Sequence, residues 1–114
     1  MLPKEYRLKK RSAFEATYRT GKTIRLDGIT AFLGKEKNNT CTTKLGFVVS
    51  KKFHKRAVKR NRTKRLMRES CRQLIKRNNI PDRYLSIVFV ASPKVINLNF
   101  HEIDKIIKKI IEKI

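Results

Sequence analysis

Apolar positions recur along this chain with two periods, and the change from one to the other marks out the elements. Residues 29–33, ITAFL, alternate: Ile29, Ala31 and Leu33 take one face, Thr30 and Phe32 the other. A repeat of two is the mark of a strand. Residues 23–26 suit a shorter strand before it, and KLGFVVS at 44–50 suits another, with Leu45, Phe47 and Val49 on one face. YLSIVFVA at 84–91 is apolar almost throughout, as expected of a central strand buried on both faces, and Pro93 breaks it. Elsewhere the period is helical. Residues 12–20 form a short helix in which Ser12 and Glu15 have capping-box spacing and Gly21 stands at the stop. Phe14 and Tyr18, four apart, share one face of it. From about residue 57 to 75 a stripe runs through Thr63, Leu66, Met67, Ser70, Cys71, Leu74 and Ile75. NNIPD at 78–82 ends that helix, because Pro81 cannot continue it and Asn tolerates a left-handed backbone. Asn99 and Glu102 have the spacing of a second capping box, and Phe100, Ile103, Ile107, Ile110 and Ile114 follow at helical intervals. This last stripe suits packing on the sheet or, alternatively, on a partner helix.

The order is helix, strands, helix, strand, helix, which makes an α+β domain built on one sheet. The 114 residues fit one domain, 1–114, without repeats or a low-complexity linker. A chain of this size buries roughly 65% of its unfolded surface, and 39% apolar residues are enough for a core.

Charge changes the picture. Thirty Lys and Arg stand against nine Asp and Glu, a net charge of +21. Such a field opposes compaction and is relieved by a polyanion. Nucleic acid is the first candidate, an anionic membrane the second, and simple solubility the plain alternative. The density peaks at KRNRTKRLMRES, residues 59–70, where Lys59, Arg60, Arg62, Lys64, Arg65 and Arg68 meet a single acid, Glu69. Opposite the apolar stripe, Asn61, Lys64, Arg65, Arg68 and Arg72 fall within an arc of about a third of the helix. A merely solvated helix mixes signs, whereas guanidinium forks and lysine charges in a row suit a phosphate backbone. No run approaches the 18 or so apolar residues of a membrane helix, and MLPKEYRLKKR has the charge of a signal peptide without its apolar stretch. Cys41 and Cys71 lack any CxxC partner and are expected to be reduced and structural, as in a cytoplasmic protein.

Protein-borne catalysis finds little support. His54 lies among basic residues, His101 opens the last helix, and the nine acids are scattered. A two-metal nuclease needs clustered carboxylates, and there is no Gly-rich phosphate loop. A second constellation is aromatic. Phe14, Tyr18 and Phe32, with Lys9, Lys10, Arg11 and Arg19 nearby, make either a stacking platform for single-stranded nucleic acid or ordinary core.

The stretch KLGFVVSKKFHKRAVKRNRTKRLMRES resembles the protein subunit of bacterial ribonuclease P, whose mark is a strand ending in SKK, a short basic connection, then RNRxKRLxRE. Here these are Ser50, Lys51 and Lys52, then Arg60 to Glu69. RLKKRSAFEATYRTGK resembles the family's opening, and the likeness covers roughly residues 5–112. It implies an α–β sandwich with a four-stranded sheet and three helices, like a ribosomal-protein domain. It also implies a left-handed crossover around the basic helix, against the usual right-handed rule. It implies a noncatalytic subunit of an endoribonuclease whose RNA removes the 5′ leader of precursor tRNA with Mg²⁺ held mainly by that RNA. Lys51, Lys52, Arg60, Asn61, Arg62, Lys64, Arg65 and Arg68 are then expected on the catalytic RNA. Phe14, Tyr18, Phe32 and Lys10 are expected on the leader, and no side chain is expected to be catalytic or to bind metal. The partners implied are the catalytic RNA and precursor tRNA, not DNA or a membrane. Two departures stand out: Ser92 and Pro93 follow Ala91 where the family usually has a basic residue, with charge arriving only at Lys94, and Asp27 lies where the family is commonly neutral or basic. A structural RNA-binding protein of the ribosome is the alternative, and a self-sufficient nuclease is disfavoured by the missing carboxylate cluster.

Overall fold

The computed structural model describes residues 3–36, 42–49, 56–80 and 83–114. Ser50, Lys51, Lys52, His54, Cys41 and Pro81 lie outside them. The elements are α1 (Arg11–Arg19), β1 (Lys22–Leu26), β2 (Ile29–Leu33), β3 (Lys44–Val49), α2 (Ala57–Lys76), β4 (Ser86–Ala91) and α3 (Phe100–Lys113), with single 3-10 turns at Lys4–Tyr6 and Pro93–Val95.

The four strands form one mixed sheet in the order β1-β2-β4-β3. β1 pairs with β2 and β2 with β4 antiparallel, while β3 and β4 run parallel. A parallel pair needs a crossover, and α2 supplies it. Strand alternation then gives the sheet two unlike faces. On one, the rungs Leu33–Ile87–Leu45, Ala31–Phe89–Phe47 and Ile29–Ala91–Val49 line up across β2, β4 and β3. α2 and α3 close this face with Met67, Cys71, Leu74, Ile103, Ile107 and Ile110, and together these side chains form the hydrophobic core. Phe47, half-buried against this core, stacks on Phe89 at 5.8 Å. The stripe's hydroxyls are partnered inside the fold: Thr63 Oγ donates to the Lys59 carbonyl at 3.4 Å and Ser70 Oγ to Asp104 Oδ1 at 2.6 Å. Lys108 adds an ion pair to Asp104 at 2.9 Å.

The expected strand and helix positions hold with small differences. The capping box at Asn99 and Glu102 forms in both directions. The box expected at Ser12 and Glu15 does not. α1 starts one residue earlier, with Lys10 extended at its N-cap and no side-chain cap. Ser12 therefore falls inside the first turn, and Glu15 pairs with Arg11 at 3.5 Å instead. β4 begins at Ser86, because Tyr84 is taken by an isolated bridge to Glu36.

The two departures meet at one place. Asp27 (φ +47°) and Gly28 (φ +96°) form the tight β1–β2 turn, the backbone that an Asp-Gly hairpin loop favours. The Ser92 N–H donates to the Gly28 carbonyl at 2.8 Å, so the residue after β4 is spent on bracing that turn.

Candidate nucleic-acid interface

α2 presents its basic residues much as helical geometry dictates. Asn61, Arg65 and Arg68 are exposed and Lys64 is half-buried, and among the described residues none of the three cations makes an ion pair. The other members of the set differ. Arg60 is half-buried. Arg62 points to the helix's other flank, where its guanidinium donates to the Leu98 carbonyl at 3.2 Å. Arg72 forms a two-pronged pair with Glu69, at 2.6 and 2.9 Å. That hydrogen bonding holds the Glu69 carboxyl at about 2, well below its ordinary range, so Arg72 is neutralised on the free face. Lys51 and Lys52 lie outside the described residues.

The aromatics gather on the sheet face opposite the core. Tyr18 meets Phe32 edge to face, ring centroids 4.8 Å apart at 81°. Phe14 lies over β3 at Gly46, where an added Cβ would stand 2.5 Å from the ring's Cε1. None of the three belongs to the hydrophobic core; Phe14 and Phe32 are half-buried, and Tyr18 is 36% exposed. α1 is fastened across this face by hydroxyls. Thr17 and Ser86 share a buried hydrogen bond of 2.5 Å, Thr17 also donates to the Ala13 carbonyl at 2.8 Å, and Thr20 donates to the Leu33 carbonyl. Lys10, at the N-cap, is exposed beside Arg7, Lys9 and Lys44 on a shared hollow.

Sequence reasoning missed Gly46, Leu8 and the hydroxyl pair. The N-terminal segment adds to the edge of β3 through Leu8 N–H to the Leu45 carbonyl, 2.9 Å, and then turns into α1. This brings Phe14 and Arg68 onto one groove of about 370 Å³, together with Arg7, Leu8, Gly46 and Phe47. Two surfaces that looked separate along the chain thus adjoin. The available signal was Gly46 itself, since a glycine inside an apolar strand marks a close approach. The Thr17–Ser86 pair, 69 residues apart, had no local signal. Among the described residues no three His, Cys, Asp or Glu side chains gather where they could hold a metal ion, and no helix is long and apolar enough to cross a membrane.

Comparison with known proteins bears on the family and the fold. A family model described as Ribonuclease P matches residues 2–114. The ribonuclease P protein component of Caldanaerobacter subterraneus is 36% identical over 113 residues, covering 99% of this chain and 92% of that protein. The same component of Clostridium novyi is 32% identical over 112 residues, 98% and 96% of the two chains. Among solved structures, the RNase P protein of Staphylococcus aureus superposes with a TM-score of 0.80 at 24% identity, covering 96% of this chain and 95% of that one. The Thermotoga maritima RNase P protein gives 0.79 at 25%, covering 95% and 96%.

Proposed function

The chain belongs to the ribonuclease P protein family, the protein component of a ribonucleoprotein endoribonuclease, and from that premise we propose how its two surfaces divide the work. The exposed flank of α2, with Asn61, Lys64, Arg65 and Arg68, binds the catalytic RNA through its phosphates, joined by Arg60, Lys51 and Lys52. Arg62, bound to the Leu98 carbonyl, serves mainly to seat α2 on the α3 approach. The α1 face, with Phe14, Tyr18, Phe32 and Lys10, holds the single-stranded 5′ leader of precursor tRNA. Aromatic faces stack on bases without regard to sequence, and basic side chains follow the backbone.

One observation carries this reading: the aromatic face is half open beside a basic helix, and the two meet in the groove between Phe14 and Arg68. A leader leaving the aromatic face there passes directly to RNA held on α2. The Mg²⁺ of the reaction would supply charge neutralisation at the scissile phosphate, and we assign it to the RNA, as the family resemblance implies. The protein's own contribution is to bind and orient.

Precursor tRNA is incubated with the protein alone, with a bacterial ribonuclease P RNA alone, and with both, at low Mg²⁺. Cleavage that requires the RNA and is enhanced by the protein is the expected result. Cleavage by protein alone would assign the active site to the chain, and no enhancement would favour an RNA-binding role elsewhere, such as in the ribosome.

A further inference from the structure

We propose that Arg25 binds a leader phosphate one step beyond the Tyr18–Phe32 pair, so that the leader track runs on toward the β1 edge. The inference rests on the leader reading above and extends it. The β1–β2 register sets Thr23 beside Phe32 and Arg25 beside Thr30, so all four side chains share the α1 face. Two residues along a strand advance about 6.6 Å, which places Arg25 one rung from the aromatic pair. That rung continues through Thr30, Val90 and Val48, all half-buried and left partly uncovered by α1. Its floor is apolar with one hydroxyl, and Arg25 is its only charged side chain.

Among the described residues, those that follow β4 supply no cation in the same place. Ser92, directly after β4, has its hydroxyl buried and without a hydrogen-bond partner among the described residues. Lys94 comes only in the following 3-10 turn, its Cβ packed toward Gly28. Arg25 itself is exposed. Its Nε donates to Thr30 Oγ1 at 3.4 Å, a long contact that steers the fork over the rung while leaving the terminal amino groups to solvent. Among the described residues it has no carboxylate partner, Asp27 included. A guanidinium presented this way matches phosphate oxygens two at a time. With one base stacked at Tyr18 and Phe32, the phosphate of an adjoining nucleotide reaches Arg25.

The test uses the reconstituted holoenzyme carrying wild-type protein, Arg25→Ala or Arg25→Lys. Its probes are mature tRNA and precursor tRNAs whose leaders lengthen one nucleotide at a time. Wild-type affinity should rise stepwise with leader length. Arg25→Ala should lose the step made by the nucleotide that reaches it, about two- to fivefold, the scale of a solvent-exposed ion pair. The slope of log affinity against log salt for long leaders should fall by about 0.7, one single-strand phosphate contact. Arg25→Lys should recover part of the step. Affinity for mature tRNA, for the shortest leader and for the catalytic RNA should stay at wild-type values, as should the melting temperature. Equal losses on mature and precursor tRNA, or an Arg25→Ala profile identical to wild type, would overturn the assignment. A wild-type holoenzyme indifferent to the leader would overturn the leader cleft itself, a result visible before any variant is measured.

Discussion

The two faces of β4 belong to one six-residue strand and have opposite fates. Ile87, Phe89 and Ala91 point into a core closed by two helices. Ser86, Val88 and Val90 point to a face that, among the described helices, only the nine-residue α1 crosses, so Val88 is fully buried while Val90 remains half-buried. The closed face is held by apolar contact, and the open face by a few hydroxyl bonds at Thr17 and Thr20. On the proposed leader reading, stability and ligand capacity are thereby separated across the thickness of a single sheet. A strand can do both because its side chains alternate.

This contrast can be broken most strongly from the closed side. Phe89→Ala removes a fully buried ring and should cost about 3–5 kcal/mol, read in a thermal or denaturant melt, with every RNA affinity falling as the fold is lost. A second probe of that side is Ser70→Ala. Burial alone would raise the Asp104 carboxyl, but hydrogen bonds from Ser70 and Lys108 and the charges of Lys108 and Arg77 outweigh it and hold the group below its ordinary 3.8. A group with a depressed folded value stabilises above its unfolded value and loses that contribution as pH falls through the folded one. Ser70→Ala should therefore cost about 1.5–3 kcal/mol near neutrality, the scale of a hydrogen bond to a charged group. The gap between variant and wild type should narrow as the pH drops below 3.8, measured by melts across an acid series.

On the open side, Gly46→Ala sharpens the comparison. The new Cβ would meet Phe14 Cε1 at 2.5 Å and Cζ at 2.8 Å, so the ring must move. Overpacking of this kind costs about 1–3 kcal/mol. Because the Phe14 ring borders an open groove and can shift, the melt should sit near the lower figure. Precursor tRNA affinity should fall while affinity for mature tRNA and for the catalytic RNA holds. Equal falls for all three would place Phe14 with the core. The smallest effect on the fold belongs to Arg65→Ala, on the exposed side of α2. The melting temperature should barely move, and the salt slope of binding to the catalytic RNA should drop by about 0.7–0.9. A clear loss of stability with unchanged RNA affinity would make that flank structural.

Much of this was legible along the chain because it is local. The alternation of ITAFL put Ile29, Ala31 and Leu33 on one face and Thr30 and Phe32 on the other, and the structure makes the first the core face. The stripe from Thr63 to Leu74 fixed which way α2 faces and so which cations stand outward. Asn99 and Glu102 marked the start of α3. The failures came where a distant contact decided the outcome. Ser12 was displaced from its cap because the segment before it adds to β3 through Leu8 and Leu45, which moves the start of α1 to Arg11. Tyr84 left the strand for Glu36. Like charges on α2 also differ in their partners: Arg62 is bound to the Leu98 carbonyl, far along the chain, whereas Arg72 is paired with Glu69 within the helix.

From the sequence alone came the elements, their inward faces and an excess of positive charge that calls for a polyanion, since periodicity and composition act over a few residues at a time. The tertiary structure alone decided that β3 and β4 lie side by side, that Thr17 finds Ser86, and that Phe14 rests on Gly46 next to Arg68. Those are contacts between residues far apart along the chain, set by how the sheet's register and two packed layers bring them together, and no local pattern encodes them.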